Sequence, residues 1–407
     1  MRAFFLAVSL ALASAPALAA EPDTTAILEK ASHTFAMTGG ELSGPGADLI
    51  LKATADAQFV LSGEDHFDTL TPQFHTALYR MVHRAHGIDR LVVELDPLAI
   101  EGMRWKPGPD DLDQIVSLAR RYPTLIGFSS DPDLKFLADV RAISGPKTLW
   151  GIEQAQSPAR YLEELVRLAP NQKVRADTES LLSIARPIAG LADMGKYVSQ
   201  APTLLGRLET LKENFQAPAG SRADVLLTGL AKSTEIYSYY ARADAGEPVG
   251  LYNNTVREDW MKRSFLARYS AESRKRGAPI KAMFRFGANH MYHGKNPTQA
   301  FPIGNLAHEL AIVNGKHAYG LYILGLGGYT QWGDLPSWMK PILPASQPTA
   351  PLLIDLRPLR PVARYYARQV AEADRWELRD LIQGFDAVVL LPNSSKASWS
   401  LTGQPQP

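Results

Sequence analysis

The 407-residue chain contains no cysteine. That absence excludes a disulfide framework, a thiolate nucleophile and a lipoprotein anchor. Net charge is missing too: 43 Lys and Arg stand against 42 Asp and Glu, a formal +1. A near-neutral chain has no electrostatic reason to seek nucleic acid or an anionic membrane. After residue 20 no apolar run approaches the roughly 20 residues that a membrane-spanning helix needs. Several catalytic signatures are absent as well. The chain holds no Gly-x-Ser-x-Gly elbow, no His-Glu-x-x-His, no phosphate-binding P-loop and no Gly-x-Gly-x-x-Gly. His308-Glu309 lacks the second histidine of a zincin. Serine hydrolase, zincin, NTPase and nucleotide-oxidoreductase chemistries are therefore disfavoured.

What is present begins with the N-terminus. Arg2 precedes the apolar run Ala3 to Leu12, and Ala17-Leu18-Ala19 fits a small-x-small cleavage site. Residues 1–19 read as a secretory signal peptide, cut near Ala19, and this predicts a periplasmic or secreted protein. No integral membrane span is expected after signal removal. Hydrophobic residues make up 45% of the chain, enough for a large core.

The pattern predicts an α/β fold: a mostly parallel central sheet flanked by helices, with an inserted helical subdomain. Residues 20–156 form the first half of the core. Strands are expected at Gln58 to Gly63, Arg90 to Leu95 and Lys147 to Ile152. Between them fall helices at Thr71 to His86, Leu112 to Arg121 and Pro132 to Ile143. Strand alternating with helix implies parallel pairing through right-handed crossovers. Residues 157–250 read as a helical insert with no strand. Residues 251–400 form the second half of the core. A helix from Thr255 to Lys275 ends at a Gly277 cap, where basic residues suit the helix dipole. Strands follow at Ile280 to Phe286, Ala318 to Leu326, Leu352 to Leu356 and Ala387 to Leu391, with a helix at Asn305 to Val313. Residues 401–407 read as a frayed tail.

Three polar clusters sit where apolar strands end: Gly63-Glu64-Asp65-His66, Glu94 after Leu91-Val92-Val93, and Gly287-Ala288-Asn289-His290. In open α/β sheets, ligands bind beyond the carboxyl ends of the strands. A carboxylate beside an imidazole stabilises the imidazolium, which suits a general base at neutral pH. The alternative for the first cluster is a solvated loop. Glu94 is costly in its apolar setting unless it is paired or ligated; the structural alternative is an ion pair with Arg90 or Arg104. Glu153 repeats the pattern after Leu149-Trp150-Gly151-Ile152, or caps the following helix. Arg257 steers a carboxylate or holds an oxyanion, or belongs to a solvated helix start.

Taken in order, these clusters resemble the erythromycin esterase-like superfamily, which includes the haem-uptake ChaN-like proteins. That pattern has a Gly-Glu-x-(x)-His turn, matched by Gly63-Glu64-Asp65-His66, and a Glu about 28 residues on, matched by Glu94. Gly151-Ile152-Glu153, Arg257-Glu258-Asp259-Trp260-Met261, Gly287-Ala288-Asn289-His290 and Gly304-Asn305-Leu306-Ala307 follow in register with later motifs. Two departures stand out. One residue, Asp65, separates Glu64 from His66, as in the ChaN-like branch, and Gly287 stands where the esterases have a histidine. The resemblance implies a hydrolase acting on an ester or related bond of a small molecule. His66 is the implied general base. Glu64 and Glu94 orient it or a water, and Arg257 and His290 bind the substrate carbonyl. Asn289 and Glu153 join the substrate-binding set.

Glu64, His66, Glu94 and His290 also make a mixed oxygen and nitrogen set for a divalent metal. The competing reading is a haem- or metal-binding protein without turnover, with His290, His293 or Tyr292 as axial candidates. Both readings expect the strands ending near residues 63, 94 and 287 to be neighbours. They also expect Glu94 to be buried and part of the helical insert to lie along the rim.

Overall fold

The computed structural model describes residues 21–188 and 191–403. The expected signal peptide, and the last four residues of the expected tail, lie outside the described residues. One eight-stranded sheet organises the chain. In chain order its strands are β1 (Ser32–Thr34), β2 (Ala57–Glu64), β3 (Arg90–Val93), β4 (Leu149–Gly151), β5 (Ala282–Gly287), β6 (His317–Gly325), β7 (Leu352–Asp355) and β8 (Ala387–Leu391). Their spatial order is β1-β7-β8-β6-β2-β5-β3-β4. The six from β8 to β4 run parallel. At the other edge β7 pairs antiparallel with both β8 and β1.

The six parallel strands are mostly apolar because both faces are covered, as expected for a parallel sheet. Side chains alternate between two cores. Val60, Leu91 and Val93 enter one core; Phe59, Leu61 and Val92 enter the other. The helices Leu70–His86, Asp111–Arg121 and Asp131–Ser144 follow the first strands. The described chain between β4 and β5 carries helices and no strand: Pro158–Leu168, Gln172–Ala185, Leu191–Ser199, Ala201–Phe215, Arg222–Asp244 and Tyr252–Arg276. The last of these ends at Gly277, whose φ of 69° is the left-handed cap conformation that glycine adopts without a Cβ clash. It begins at Tyr252, so Arg257 lies in its second turn rather than at its start.

Elements unforeseen in the sequence are short and peripheral. They include edge strand β1, the hairpin Ala36–Thr38/Glu41–Ser43 and the helix Leu191–Ser199. At the start of the expected tail, Leu401 N donates to Asp131 Oδ1 at 2.9 Å, and Arg120 donates to the Leu401 carbonyl. No helix among the described residues is long and apolar enough to cross a membrane.

Candidate active site

Register brings the three clusters together. Glu64 pairs with Gly287 on β5 and with Ile323 on β6, and Val93 pairs with Arg285. The carboxyl ends of β2, β5, β3 and β4 therefore form one continuous rim. A cleft of about 740 Å³ opens above it, lined by Glu64, His66, Glu94, Arg257, Asn289 and His290 among others. Tyr240, from the helix Arg222–Asp244, stands on its wall.

His66 is held from one side. Its Nδ1 lies 2.9 Å from Glu64 Oε1, and its ring packs 4.3 Å from that of Phe128. Nε2 is left facing Gly287: a Cβ built there would meet it at 2.7 Å. Phe67, the next residue, has φ of 73°, a strained conformation for a bulky side chain. The strain redirects the chain just after the histidine.

Glu64 is buried, and its two oxygens receive both Nε and Nη2 of Arg285, at 2.9 and 3.0 Å. Arg285 also donates to Asp133 at 2.5 Å. His75, fully buried, places Nδ1 3.1 Å from Glu64 Oε2 and Nε2 2.6 Å from Ser62 Oγ. Burial alone would raise the Glu64 pKa. The Arg285 charge and the hydrogen bonds from His66 and His75 outweigh it, so Glu64 sits well below the usual carboxylate range. Burial pushes His75 down, which keeps it neutral. For His66, burial lowers the pKa, but the hydrogen bond and charge of Glu64, then the charge of Glu94, turn the shift upward.

A second arginine braces the other strand ends. Arg257 Nη2 donates to Glu94 Oε1 at 2.6 Å, Nε to Glu153 Oε1 at 3.0 Å, and Nη2 also to Glu153 Oε2. Glu94 Oε2 accepts from the Gly287 backbone N–H at 2.7 Å. Arg257 Nη1 lies 3.1 Å from His290 Nε2. His290 Nδ1 meets Glu258 Oε1 at 2.5 Å, and its Nε2 stands 3.4 Å from Glu94 Oε1. Burial would lower the His290 pKa, yet Glu258 and Glu94 raise it to about 10 despite the opposing Arg257 charge. His290 Nε2 thus lies between two partners: it accepts from Arg257 Nη1 when the ring is neutral, and its N–H turns to Glu94 Oε1 when the ring is protonated, the form that the raised pKa favours. Burial opposes ionisation of Glu94, but His290 and Arg257 hold its pKa well below normal.

The structure corrects several expectations. Neither Arg90 nor Arg104 partners Glu94: Arg90 pairs with Glu272 at 2.9 Å and Arg104 with Glu101 at 3.6 Å. Glu153, expected in the substrate-binding set, is fully buried, with its carboxylate on Arg257 and the Gln154 N–H. Glu64, His66, Glu94 and His290 do not converge as metal ligands. Each carboxylate oxygen already receives an N–H donor, and no group of three or more His, Asp or Glu among the described residues is placed to hold a metal ion. Of the axial candidates, His290 lines the cleft, but Tyr292 and His293 do not. Tyr292 is buried against Phe385, with ring centroids 4.7 Å apart, and His293 stacks on His308 at 4.3 Å. Asn289 is exposed on the cleft wall.

Arg285, Asp133 and His75 went unread in the sequence. Arg285 carried a usable signal: a lone charge inside the apolar strand Ala282–Gly287, the same anomaly that singled out Glu94.

Comparison with solved structures yields three matches of nearly full length. An erythromycin esterase mutant in its open conformation superposes with a TM-score of 0.57 at 16% identity, covering 90% of this chain and 98% of that one. The chain has the fold of an erythromycin esterase. A Bacillus cereus protein matches at TM-score 0.53 and 14% identity, over 94% and 100% of the two chains. A succinoglycan biosynthesis protein matches at 0.50 and 14%, over 93% and 99%. No family model and no curated protein matches the sequence.

Proposed function

We propose that the protein is an exported hydrolase of the erythromycin esterase-like superfamily, cleaving an ester of a small molecule with water activated by His66. One observation carries the reading. His66 is fixed through Nδ1 by a buried carboxylate, while Nε2 stays free at the cleft floor. That is the arrangement a general base needs: one nitrogen oriented, the other within reach of a water.

In this reaction Nε2 takes a proton from water as its oxygen bonds to the acyl carbon. The carbonyl oxygen gains negative charge, and the adjacent donors of Arg257 Nη1 and His290 Nε2 stabilise it. Preorganised donors of this kind supply a large share of acyl-transfer catalysis. The ester C–O bond then breaks, and the proton on His66 passes to the departing alcohol. Glu94 aims the donors through Arg257, and Glu64 holds the imidazole. The fold and the ordered clusters support the superfamily, and the N-terminal pattern of residues 1–19 supports export.

The test is a panel of small-molecule esters and lactones, assayed with wild type, His66→Ala and Glu94→Ala. Each substitution is expected to lower turnover by at least ~100-fold, the usual scale for a general acid–base group, with circular dichroism unchanged. Equal turnover in wild type and His66→Ala overturns the assignment.

A further inference from the structure

The cleft is far larger than an ester carbonyl requires, and its remaining surface has a definite chemistry. Its roughly 740 Å³ is room for a ligand of drug size. Ligand pockets of this volume are ordinarily lined by apolar side chains. This lining contains no Leu, Ile, Val or Met, and its largest aliphatic residue is Ala288. Its apolar surface comes instead from the aromatic rings of Phe67, Tyr240, Tyr322 and Tyr329, so a flexible acyl chain would find no aliphatic wall.

An anionic ligand fares no better. Arg257 is the one Lys or Arg in the lining, and it is already bound to Glu94 and Glu153. Asp65 adds a further carboxylate, tied at 3.1 Å to the Thr330 hydroxyl. Phosphate or carboxylate groups would meet Asp65 and find no Lys or Arg free of a carboxylate partner in the lining.

What remains is neutral and rich in hydrogen-bonding groups. Tyr240, Asn254 and Asn289 face the cleft, and their side chains hydrogen-bond to none of the described residues. Their placement continues the reaction centre. Asn254 lies one helical turn before Arg257 and so shares its face; Asn289 directly precedes His290. Phe67 and Tyr329 line the same cleft, their rings 6.4 Å apart in an edge-on pair. Amides and phenols that can donate and accept, in one cleft with aromatic rings, suit a ring that bears hydroxyl groups on its edge and C–H groups on its face.

We propose that Tyr240, Asn254 and Asn289 form a subsite for a neutral polyhydroxylated group, a glycosyl or polyol moiety, which is the alcohol part of the ester. The inference rests on the hydrolase reading above. A site built to pair hydroxyl groups rejects the analogue that lacks them strongly, because its own polar groups are then left unpaired.

The experiment compares a mono-O-acetylated glucose with cyclohexyl acetate, a ring ester of similar size without hydroxyls. The sugar ester should be hydrolysed with kcat/KM at least ~100-fold higher. Asn254→Ala and Asn289→Ala should each raise KM for the sugar ester ~3- to 10-fold, the share of one neutral hydrogen bond, with the loss carried by KM rather than kcat. Equal His66-dependent rates on both esters overturn the subsite and leave the hydrolase standing. If neither ester is cleaved, calorimetry on the full-length His66→Ala protein decides. Saturable binding of the acetylated sugar, with none of cyclohexyl acetate, supports the subsite. Absence of sugar binding overturns it.

Discussion

His66 and Gly287 share one space: a Cβ on Gly287 would stand 2.7 Å from His66 Nε2 and 3.6 Å from Glu94 Oε2. The glycine is not there for its backbone, since φ of −54° and ψ of 145° are open to any residue. It is there for the room. An imidazole two residues beyond the end of β2 fills the volume that a side chain on β5 would need.

Gly287→Ala should therefore separate function from folding. The clash falls on the tip of a side chain, which can swing away cheaply, but Nε2 then leaves the cleft floor. A misplacement of about 1 Å at a reacting group can cost about 100-fold. Ester turnover of Gly287→Ala should fall by about that much, while its thermal midpoint stays within about 4 °C of wild type. Unchanged turnover would mean that Nε2 is not the reacting atom.

Arg257 carries the opposite signature, a stability effect. It neutralises Glu94 and Glu153, whose side chains are 6% and 0% exposed. Arg257→Met would leave buried Glu153 without a counter-charge and Glu94 with His290 alone. Breaking a buried ion pair from one side costs about 3–5 kcal/mol, which urea titration should register as a lower midpoint at unchanged slope. Glu153→Gln, which keeps Arg257 paired with Glu94, should cost less. Equal stability of Arg257→Met and wild type would show that the carboxylates find water instead.

The C-terminal segment clasps the turn that carries His66. Ala397 N donates to the Phe67 carbonyl at 2.8 Å, Ser394 Oγ to Asp68 at 2.5 Å, and Trp399 packs 5.7 Å from the Phe67 ring. These contacts hold a residue that sits at φ of 73° immediately after His66. Trp399→Ala should release that strain, lowering kcat about 10-fold while KM changes little. Trp399→Phe should restore most of the loss. A fall in thermal stability with kcat intact would reduce Trp399 to packing alone.

The sequence showed the strands of the central sheet because their residues are apolar on both faces and need no knowledge of neighbours. Glu94 was legible for the same reason: a carboxylate in such a run demands a partner. The identity of that partner was not legible. Arg257 lies 163 positions along the chain, on a helix read as starting solvated, and only the crossover that lays this helix over the β3 and β4 ends brings it near. His75 was hidden inside an amphipathic helix, where a histidine on the apolar face gives no sign of touching Glu64. Edge strand β1, three residues long, left no period to detect.

The pH dependence of catalysis follows from two raised histidines. A general base works when deprotonated, so the rising limb of kcat/KM reports His66. Burial would place that limb low, but the hydrogen bond and charge of Glu64, with the charge of Glu94, raise it above the ordinary 6.5. Glu64→Gln removes the largest of these raising causes and should move the limb to lower pH while reducing the plateau. His290, raised to about 10, keeps its proton throughout that window and should give a falling limb near pH 10. The stability sign is the same for both groups. A histidine whose folded pKa exceeds its unfolded value stabilises the fold fully below pH 6.5, and that contribution disappears as pH rises through the folded value. Unfolding free energy should thus decline between pH 6.5 and about 10, and His290→Gln should flatten the upper part of that decline. A rising limb of kcat/KM below pH 6, or one that Glu64→Gln does not move, would remove the Glu64–His66 pair as the source of the base.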